Sequence, residues 1–379
     1  MKVLHINVNY IVSSLHQIMI DHINQFGVES SVFVPTYDRK KSIIDINNYV
    51  VISECFNKWD RLFYYKKQNK IINSVLSNYD VNEFDLLHAY TLFTDGNVAM
   101  QLSKKYGIPY VVAVRNTDVN YFFKKLFFLR KHGISILENA SAIFFLSPRY
   151  KDTVINHYVP DQIKESILKK SFIIPNGIDD FWHKNIYQRD VKAISHRIET
   201  SKILKCIYVG SIDSNKNIGL TINALNQMND SGWKTSLTAI GKISDKKVYE
   251  NLRKNSVFTY VEPKNKEQLI SYYREADIFV MPSHKETFGL VYAEAMSQGL
   301  PVVYTRGQGF DGQFDEGTVG YSVSDKCSDD VSNAIIKITS NYGKISQFCS
   351  SSVSKFLWED ICKSYLSIYE ELLNGYSSV

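Results

Sequence analysis

Short apolar runs recur along this chain, each followed by a loop and then by a segment of helical period. VLHINV (3–8), VESSVFVP (28–35), DLLHA (85–89), YVVAV (110–114), ASAIFFLS (140–147) and SFIIPNGI (171–178) succeed one another in the first half. LKCIYV (204–209), TSLTAI (235–240), SVFTYV (256–261), DIFVM (277–281), PVVY (301–304) and a short run near 319–323 do so in the second. Apolar runs of this length suit strands covered on both faces. The helical segments between them (about 15–26, 95–106, 217–228, 244–254 and 265–275) are the crossovers that parallel strands require. The pattern predicts an α/β chain with two Rossmann-like, doubly wound domains facing a central cleft, with ligands at the carboxyl ends of the strands.

The 379 residues are enough for two ordinary domains. Pro175-Asn176-Gly177 is a turn signal, and the polar stretch at about 182–202 reads as the connection. The expected domains are therefore 1–180 and 181–355. The tail is helical, with Trp358, Ile361, Tyr365, Ile368, Tyr369 and Leu372 at spacings that form one apolar stripe.

Net charge is +5, with 21 Lys+Arg against 17 Asp+Glu in residues 1–180 and 23 against 22 in the rest. No dense basic stripe marks a nucleic-acid partner, and an anionic surface should meet the first half. Five cysteines without a CxxC pair fit a reducing compartment and neither a zinc site nor a disulfide framework. No cleavable signal pattern opens the chain and no run of about 18 apolar residues occurs, so a cytoplasmic location is expected.

Residues 281–303, MPSHKETFGLVYAEAMSQGLPVV, read as strand end, glycine-bearing loop, helix and strand. Glu286 precedes the helix and Glu294 lies inside it. A helix start offers free N–H groups and a positive dipole end, which suit a phosphate. Glu294 is flanked by Ala293, Ala295 and Met296, poor company for a solvated face. The pair is therefore read as functional rather than as surface acids.

Four patterns in register resemble the family 4 retaining glycosyltransferases of the GT-B fold. They are IIPNGID (173–179), YVGSIDSNKNI (208–218), ADIFVMPSHKETFGLVYAEAMSQGLPVV (276–303) and the Trp-bearing helix FLWEDICKSYLSIYEELL (356–373). The resemblance implies transfer of a sugar from a nucleotide-sugar, most simply a UDP-sugar, to an acceptor hydroxyl with retained anomeric configuration. It also implies that a terminal helix at about 356–379 crosses back to the first domain. Glu294 matches the acid that takes the ribose hydroxyls, and Glu286 the acid near the donor sugar. Phe288, Gly289 and Leu290 match the backbone donors to the diphosphate. Lys216 matches the cation that neutralises the leaving diphosphate. Tyr260 and Val261 stand at the base-binding segment. No metal and no cofactor beyond the nucleotide-sugar is implied.

Three positions depart from the family pattern. Ser211 follows Gly210 where an Arg is usual. Val12-Ser13-Ser14 replaces the glycine pair near the donor phosphates, although Ser13 and Ser14 still offer hydroxyls and N–H groups. After YVVAV the sequence is RNTD, so Arg115 stands where a His is usual. A guanidinium does not deprotonate in proteins, so Arg115 is expected to hold a phosphate or an acidic acceptor group, with Asp118 orienting the acceptor. The alternative is an Arg115–Asp118 structural bridge. His88, at a strand end, is expected near the cleft by topology, more as a packed residue than a catalytic one.

Residues 121–132, YFFKKLFFLRKH, interleave aromatics with Lys124, Lys125, Arg130 and Lys131. This is either an interfacial segment on anionic lipid, implying a lipid-linked saccharide acceptor, or a buried helix with snorkelling cations. Two other readings of the chain stand beside transfer to a cell-surface glycan: a nucleotide-sugar epimerase, and a non-catalytic partner subunit of the same fold.

Overall fold

The structure is a computed structural model, and it describes residues 1–39 and 47–376. Among these, the chain divides into two compact units, Met1–Pro175 with Trp358–Val379, and Asn176–Leu357. The last three residues of the expected terminal helix, 377–379, lie outside the described residues.

The first unit holds seven parallel strands: β1 (Lys2–Ile6), β2 (Glu29–Thr36), β3 (Val50–Glu54), β4 (Leu86–Ala89), β5 (Tyr110–Val114), β6 (Ala142–Phe145) and β7 (Ser171–Ile173). Their order is β3-β2-β1-β4-β5-β6-β7. The second holds six: β8 (Ile203–Val209), β9 (Lys234–Ile240), β10 (Phe258–Val261), β11 (Ile278–Met281), β12 (Val302–Thr305) and β13 (Gly320–Val323). Their order is β10-β9-β8-β11-β12-β13. Each order reverses beside its first strand, which makes both units doubly wound.

The continuous apolar runs follow from burial on both faces. Every residue of β5 is buried, and alternate ones serve opposite cores. Val112 and Val114 join Leu4, Leu87 and Ile143 on one face. Val111 and Ala113 join Val3, Leu86 and Phe144 on the other, under the terminal helix Trp358–Tyr376. Trp358, Ile361, Tyr365, Ile368 and Tyr369 of the expected stripe are buried there. Burial of such side chains stabilises by roughly 1.5–3 kcal/mol each, which fixes the last helix on the first unit.

That helix also closes a buried polar chain. Tyr369 Oη lies 2.6 Å from His88 Nδ1, and His88 stacks on Tyr90. Tyr90 Oη lies 3.1 Å from His5 Nδ1. Burial pushes the His5 imidazole down to about 3 and that of His88 well below its usual range. His88 is thus a packed residue under the terminal helix.

Two stretches carry elements that the sequence did not suggest. The polar stretch at 182–202 is not a free connection. It contains the helices Asp180–Lys184 and Val191–Ser201, and Trp182 and Ile198 enter the core of the second unit. The interval between the second strand and DLLHA, where no element was expected, contains β3 and the helix Tyr64–Asn78. No helix among the described residues is long and apolar enough to cross a membrane.

Candidate active site

The donor-side residues lie in the second unit, on loops that leave the carboxyl ends of β8, β10 and β11. Gly210 follows β8 and Gly241 follows β9. A Cβ on Gly241 (φ +153°) would lie 1.9 Å from the Gly210 carbonyl oxygen, so the two strand ends pass only because residue 241 is glycine. Val261, at the end of β10, accepts the Gly241 N–H at 3.2 Å. Tyr260 beside it is half-buried against Tyr249.

Ser211 shapes the next turn and brings no charge to it. Its hydroxyl donates to Asp213 at 2.5 Å, and its carbonyl accepts from the Tyr208 hydroxyl at 2.7 Å. Asp213 in turn accepts the Lys216 backbone N–H at 3.2 Å. Asn217 leaves the turn in the left-handed region (φ +55°), which Asn tolerates better than most side chains. Its amide donates to the Pro282 carbonyl at 3.0 Å and the Asp325 carbonyl at 2.9 Å. The Asn215 amide donates to the Lys285 carbonyl at 3.0 Å, and the Asn215 carbonyl accepts from the His284 N–H at 2.8 Å.

These bonds join the loop after β8 to the loop after β11, and they bring Lys216 Nζ to 2.6 Å from Glu286 Oε2. The two side chains are only 19% and 13% exposed. A third loop backs the acid. The Glu286 N–H donates to Gln308 Oε1 at 3.1 Å, and its carbonyl accepts from the Gly309 N–H at 3.3 Å. A Cβ on Gly309 would stand 1.7 Å from the Thr287 carbonyl oxygen. Asn215, Asn217, Gly241, Gln308 and Gly309 hold these loops together, and the sequence did not single them out. The two asparagines sit inside the SNKN stretch at 214–217, but nothing local shows that their amides reach carbonyls about 70 to 110 residues away.

Phe288 is buried against Phe310 and Phe356, so its backbone, not its ring, is what a ligand could meet. Gly289 caps the helix Leu290–Ser297 in the left-handed region (φ +76°, ψ +65°). A Cβ there would come within 2.4 Å of the Tyr292 ring, and Tyr292 is pinned by its hydroxyl to the Met281 carbonyl at 2.6 Å. Gly289→Ala is therefore expected to lower stability by about 1–2 kcal/mol. Thermal melting checks the effect.

Glu294 lies one turn further along the same helix and is half-buried. Burial pushes its carboxyl up to about 7; the Tyr273 hydroxyl, 3.5 Å from Oε2, and Lys266 pull the other way, and Asp179 adds to the rise. Lys266 pairs with Asp179 at 2.6 Å. Asp179 also accepts the Phe181 N–H at 2.8 Å, so it caps the helix that opens this unit.

In the first unit, the residues singled out in the sequence engage nearby backbone groups. Ser13 Oγ accepts the Leu15 N–H at 3.2 Å, and the Ser14 carbonyl accepts from Ile18 at 2.9 Å. Both serve the start of the helix Leu15–Gln25. Arg115 is buried, with Nε donating to the Tyr90 carbonyl at 3.2 Å and Nη2 3.5 Å from His16 Nε2. Asp118, expected to orient an acceptor, is turned inward. It accepts the N–H groups of Leu92 (3.0 Å), Phe93 (3.2 Å) and Arg115 (2.9 Å), and so ties the loop after β4 to the loop after β5. Burial pushes its carboxyl to about 6 while those three N–H groups hold it down. The Arg115–Asp118 link thus includes the Arg115 backbone N–H. His16 and Asp95, both buried at the same sheet edge, were not singled out in the sequence. Among the described residues, no group of three or more His, Cys, Asp or Glu could hold a metal ion.

Comparison with known proteins bears on the chain as a whole. Residues 18–180 match the family model described as Glycosyltransferase Family 4, and residues 190–351 match Glycosyl transferases group 1. A probable sucrose-phosphate synthase of Thermosipho melanesiensis is 28% identical over 62% of this chain; the alignment spans only 55% of that relative's length. The sucrose-phosphate synthase structure from Thermosynechococcus elongatus superposes with a TM-score of 0.76 at 18% identity, covering 99% of both chains. Anabaena HepE, in complex with UDP and glucose, superposes with a TM-score of 0.65 at 15% identity, covering both chains fully.

Proposed function

The chain belongs to the family 4 glycosyltransferases, and on that premise we propose that it transfers a hexose-type sugar from a UDP-sugar, with retained configuration, to a saccharide or lipid-linked saccharide of the cell surface. The observation that carries the reading is the preformed Lys216–Glu286 pair, held at 2.6 Å on two loops that asparagine amides join beside a helix start. UDP as the nucleotide is supported by the UDP bound to the structurally similar HepE.

In this reading the N–H groups that open the helix Leu290–Ser297 meet the diphosphate, because they are unsatisfied within the helix and carry its positive end. Lys216 meets the charge that grows on the diphosphate as the bond from the anomeric carbon breaks. Ser211 adds no second cation, so that duty falls chiefly on Lys216. Glu286 faces the sugar and Glu294 takes the ribose hydroxyls, which a carboxylate can accept as a pair. The acceptor oxygen bonds to the anomeric carbon on the face the diphosphate leaves. Its proton goes to the departing phosphate oxygen, so neither a protein nucleophile nor a metal is called on. Asp118 and Arg115 act by shaping the loops at the acceptor edge.

A donor screen tests the proposal. Slow UDP release from UDP-sugars without acceptor is expected, and it should vanish in Glu294→Ala. Absence of calorimetric binding to UDP-, GDP- and ADP-sugars alike would overturn it.

A further inference from the structure

The first unit bears a surface that glycosyl transfer does not require. Trp59 (75% exposed), Leu62 (73%), Phe63 and Tyr65 stand out from one segment, and Tyr121, Phe127 (72%) and Phe128 from another. The two segments touch. Tyr64 packs edge-on against Phe122 with centroids 6.5 Å apart, and Tyr64 and Tyr65 both pack on His132. The Tyr64 hydroxyl donates to the Phe93 carbonyl at 2.6 Å, and the Phe93 ring stacks on Phe122 at 4.5 Å. Seven large apolar side chains facing water from one contiguous region mark a contact surface rather than scattered exposure.

Charge identifies the partner. Lys58, Arg61, Lys66, Lys124, Lys125 and Lys131 are exposed around the aromatics. The acids in the two segments, Asp60 and Asp118, are both buried. Asp60 is held by Lys70 at 2.6 Å and Lys66 at 3.9 Å, and Asp118 by backbone N–H groups. Among the described residues, 55–66 and 115–131 therefore present cations and aromatic rings and no exposed carboxylate. A surface with dense negative charge above an apolar layer is its complement, which is the chemistry of an anionic lipid bilayer.

We propose that this surface docks the protein on anionic lipid, with Trp59, Leu62, Phe127 and Phe128 entering the interface and the lysines on the headgroups. Residues 121–132 are not one continuous buried helix. A wide turn over Asp118–Phe123 and a short turn over Phe127–Leu129 precede the helix Arg130–Asn139, and Arg130 is used internally, its Nε donating to the Phe123 carbonyl at 2.6 Å. Topology adds the consequence. Residues 55–63 follow β3 and residues 115–129 follow β5, so both segments lie at the carboxyl edge of a parallel sheet, where doubly wound units bind ligands. That edge then serves an acceptor held in the membrane, a lipid-linked saccharide. This last step rests on the transferase reading; the lipid contact itself does not.

Flotation of the full chain with vesicles of phosphatidylcholine alone, or of phosphatidylcholine with phosphatidylglycerol, tests the proposal. Partition onto the anionic vesicles should exceed that onto neutral ones by more than tenfold. It should fall about fivefold for each cation removed among Lys58, Lys124 and Lys125. Trp59→Ser/Phe127→Ser/Phe128→Ser should abolish it, and fluorescence quenching by brominated acyl chains should disappear in Trp59→Phe. Acceptor-free UDP release by these variants should match wild type, which separates a failed lipid contact from a failed transferase. Equal binding to both vesicles overturns the proposal. So does anionic binding that the triple apolar variant retains, or a dimer in sedimentation that the same variant dissolves without any vesicle binding.

Discussion

Replacing Glu294 by Gln should abolish tight UDP binding and, at the same time, stabilise the ligand-free protein above neutral pH. The carboxyl is pushed up to about 7 chiefly by burial. Between the ordinary carboxyl range and pH 7 the folded state therefore holds a proton that the unfolded state has released. With more protons bound in the folded state, stability falls as pH rises through that window and stays reduced above it. A shift of this size corresponds to about 3 kcal/mol at most. Gln keeps the shape and the partner for the Tyr273 hydroxyl without the buried charge. Urea unfolding should show Glu294→Gln more stable than wild type at pH 8 and indistinguishable from it at pH 4. A variant less stable at pH 8 would show that the carboxylate is well solvated. Binding moves the other way. Two hydrogen bonds to an ionised acceptor contribute about 1.5–3 kcal/mol each, so UDP affinity should fall at least about 100-fold. In the wild type, affinity should weaken as pH drops below 7, because the protonated acid accepts only poorly from vicinal hydroxyls. A residue that trades stability for affinity in this way belongs to a binding site rather than to a structural network.

The fold was legible because burial on both sheet faces leaves no polar alternation. YVVAV and AIFF read directly as β5 and β6, and the Trp358 stripe marked the side of the last helix that is buried. Elements at the margins were not legible. VVISE is short and only partly buried, and the helix Tyr64–Asn78 carries mostly polar residues. Its burial is confined to Gln68, Ile71 and Val75. The polar stretch at 182–202 misled for a related reason: only Trp182 and Ile198 of its helices are fully buried, while Phe181, Val191 and Ile194 pack on the core only in part among many polar residues.

The candidate site divides along the same line. Glu286, Glu294, Gly289 and Lys216 are contiguous with motifs and were visible. Their supports act across the chain: the Asn217 amide on the Asp325 carbonyl, and Gly309 under Thr287. No local pattern encodes such contacts. Asp118 shows the converse. An acid beside an expected catalytic position looked available, but three backbone N–H groups from two loops enclose it.

Removal of the Lys216 charge should have the largest effect on turnover. Lys216 and Glu286 meet at 2.6 Å with side chains only 19% and 13% exposed, so solvent screens them less than it would a surface pair. The lysine is therefore fixed before a donor arrives and need not reorganise as charge builds on the leaving diphosphate. Lys216→Met should lower kcat by about 100- to 1,000-fold, the range for loss of one preorganised electrostatic contact. UDP affinity should fall as well, because the product carries the charge the lysine meets. Lys216→Arg should recover part of kcat, since it keeps the charge but not the compact ammonium geometry. Glu286→Gln separates the roles of the two partners. If Glu286 faces the sugar, this variant should lose kcat by a similar factor while UDP affinity stays within about twofold. The double variant Lys216→Met/Glu286→Gln should then be little slower than Lys216→Met alone, because residues acting as one unit are not additive. Steady-state kinetics on a UDP-sugar, with calorimetry on UDP, gives all four comparisons. A Lys216→Met enzyme within tenfold of wild type would place the leaving-group cation elsewhere. A Glu286→Gln variant that lost UDP affinity in step with kcat would move Glu286 from the sugar to the nucleotide.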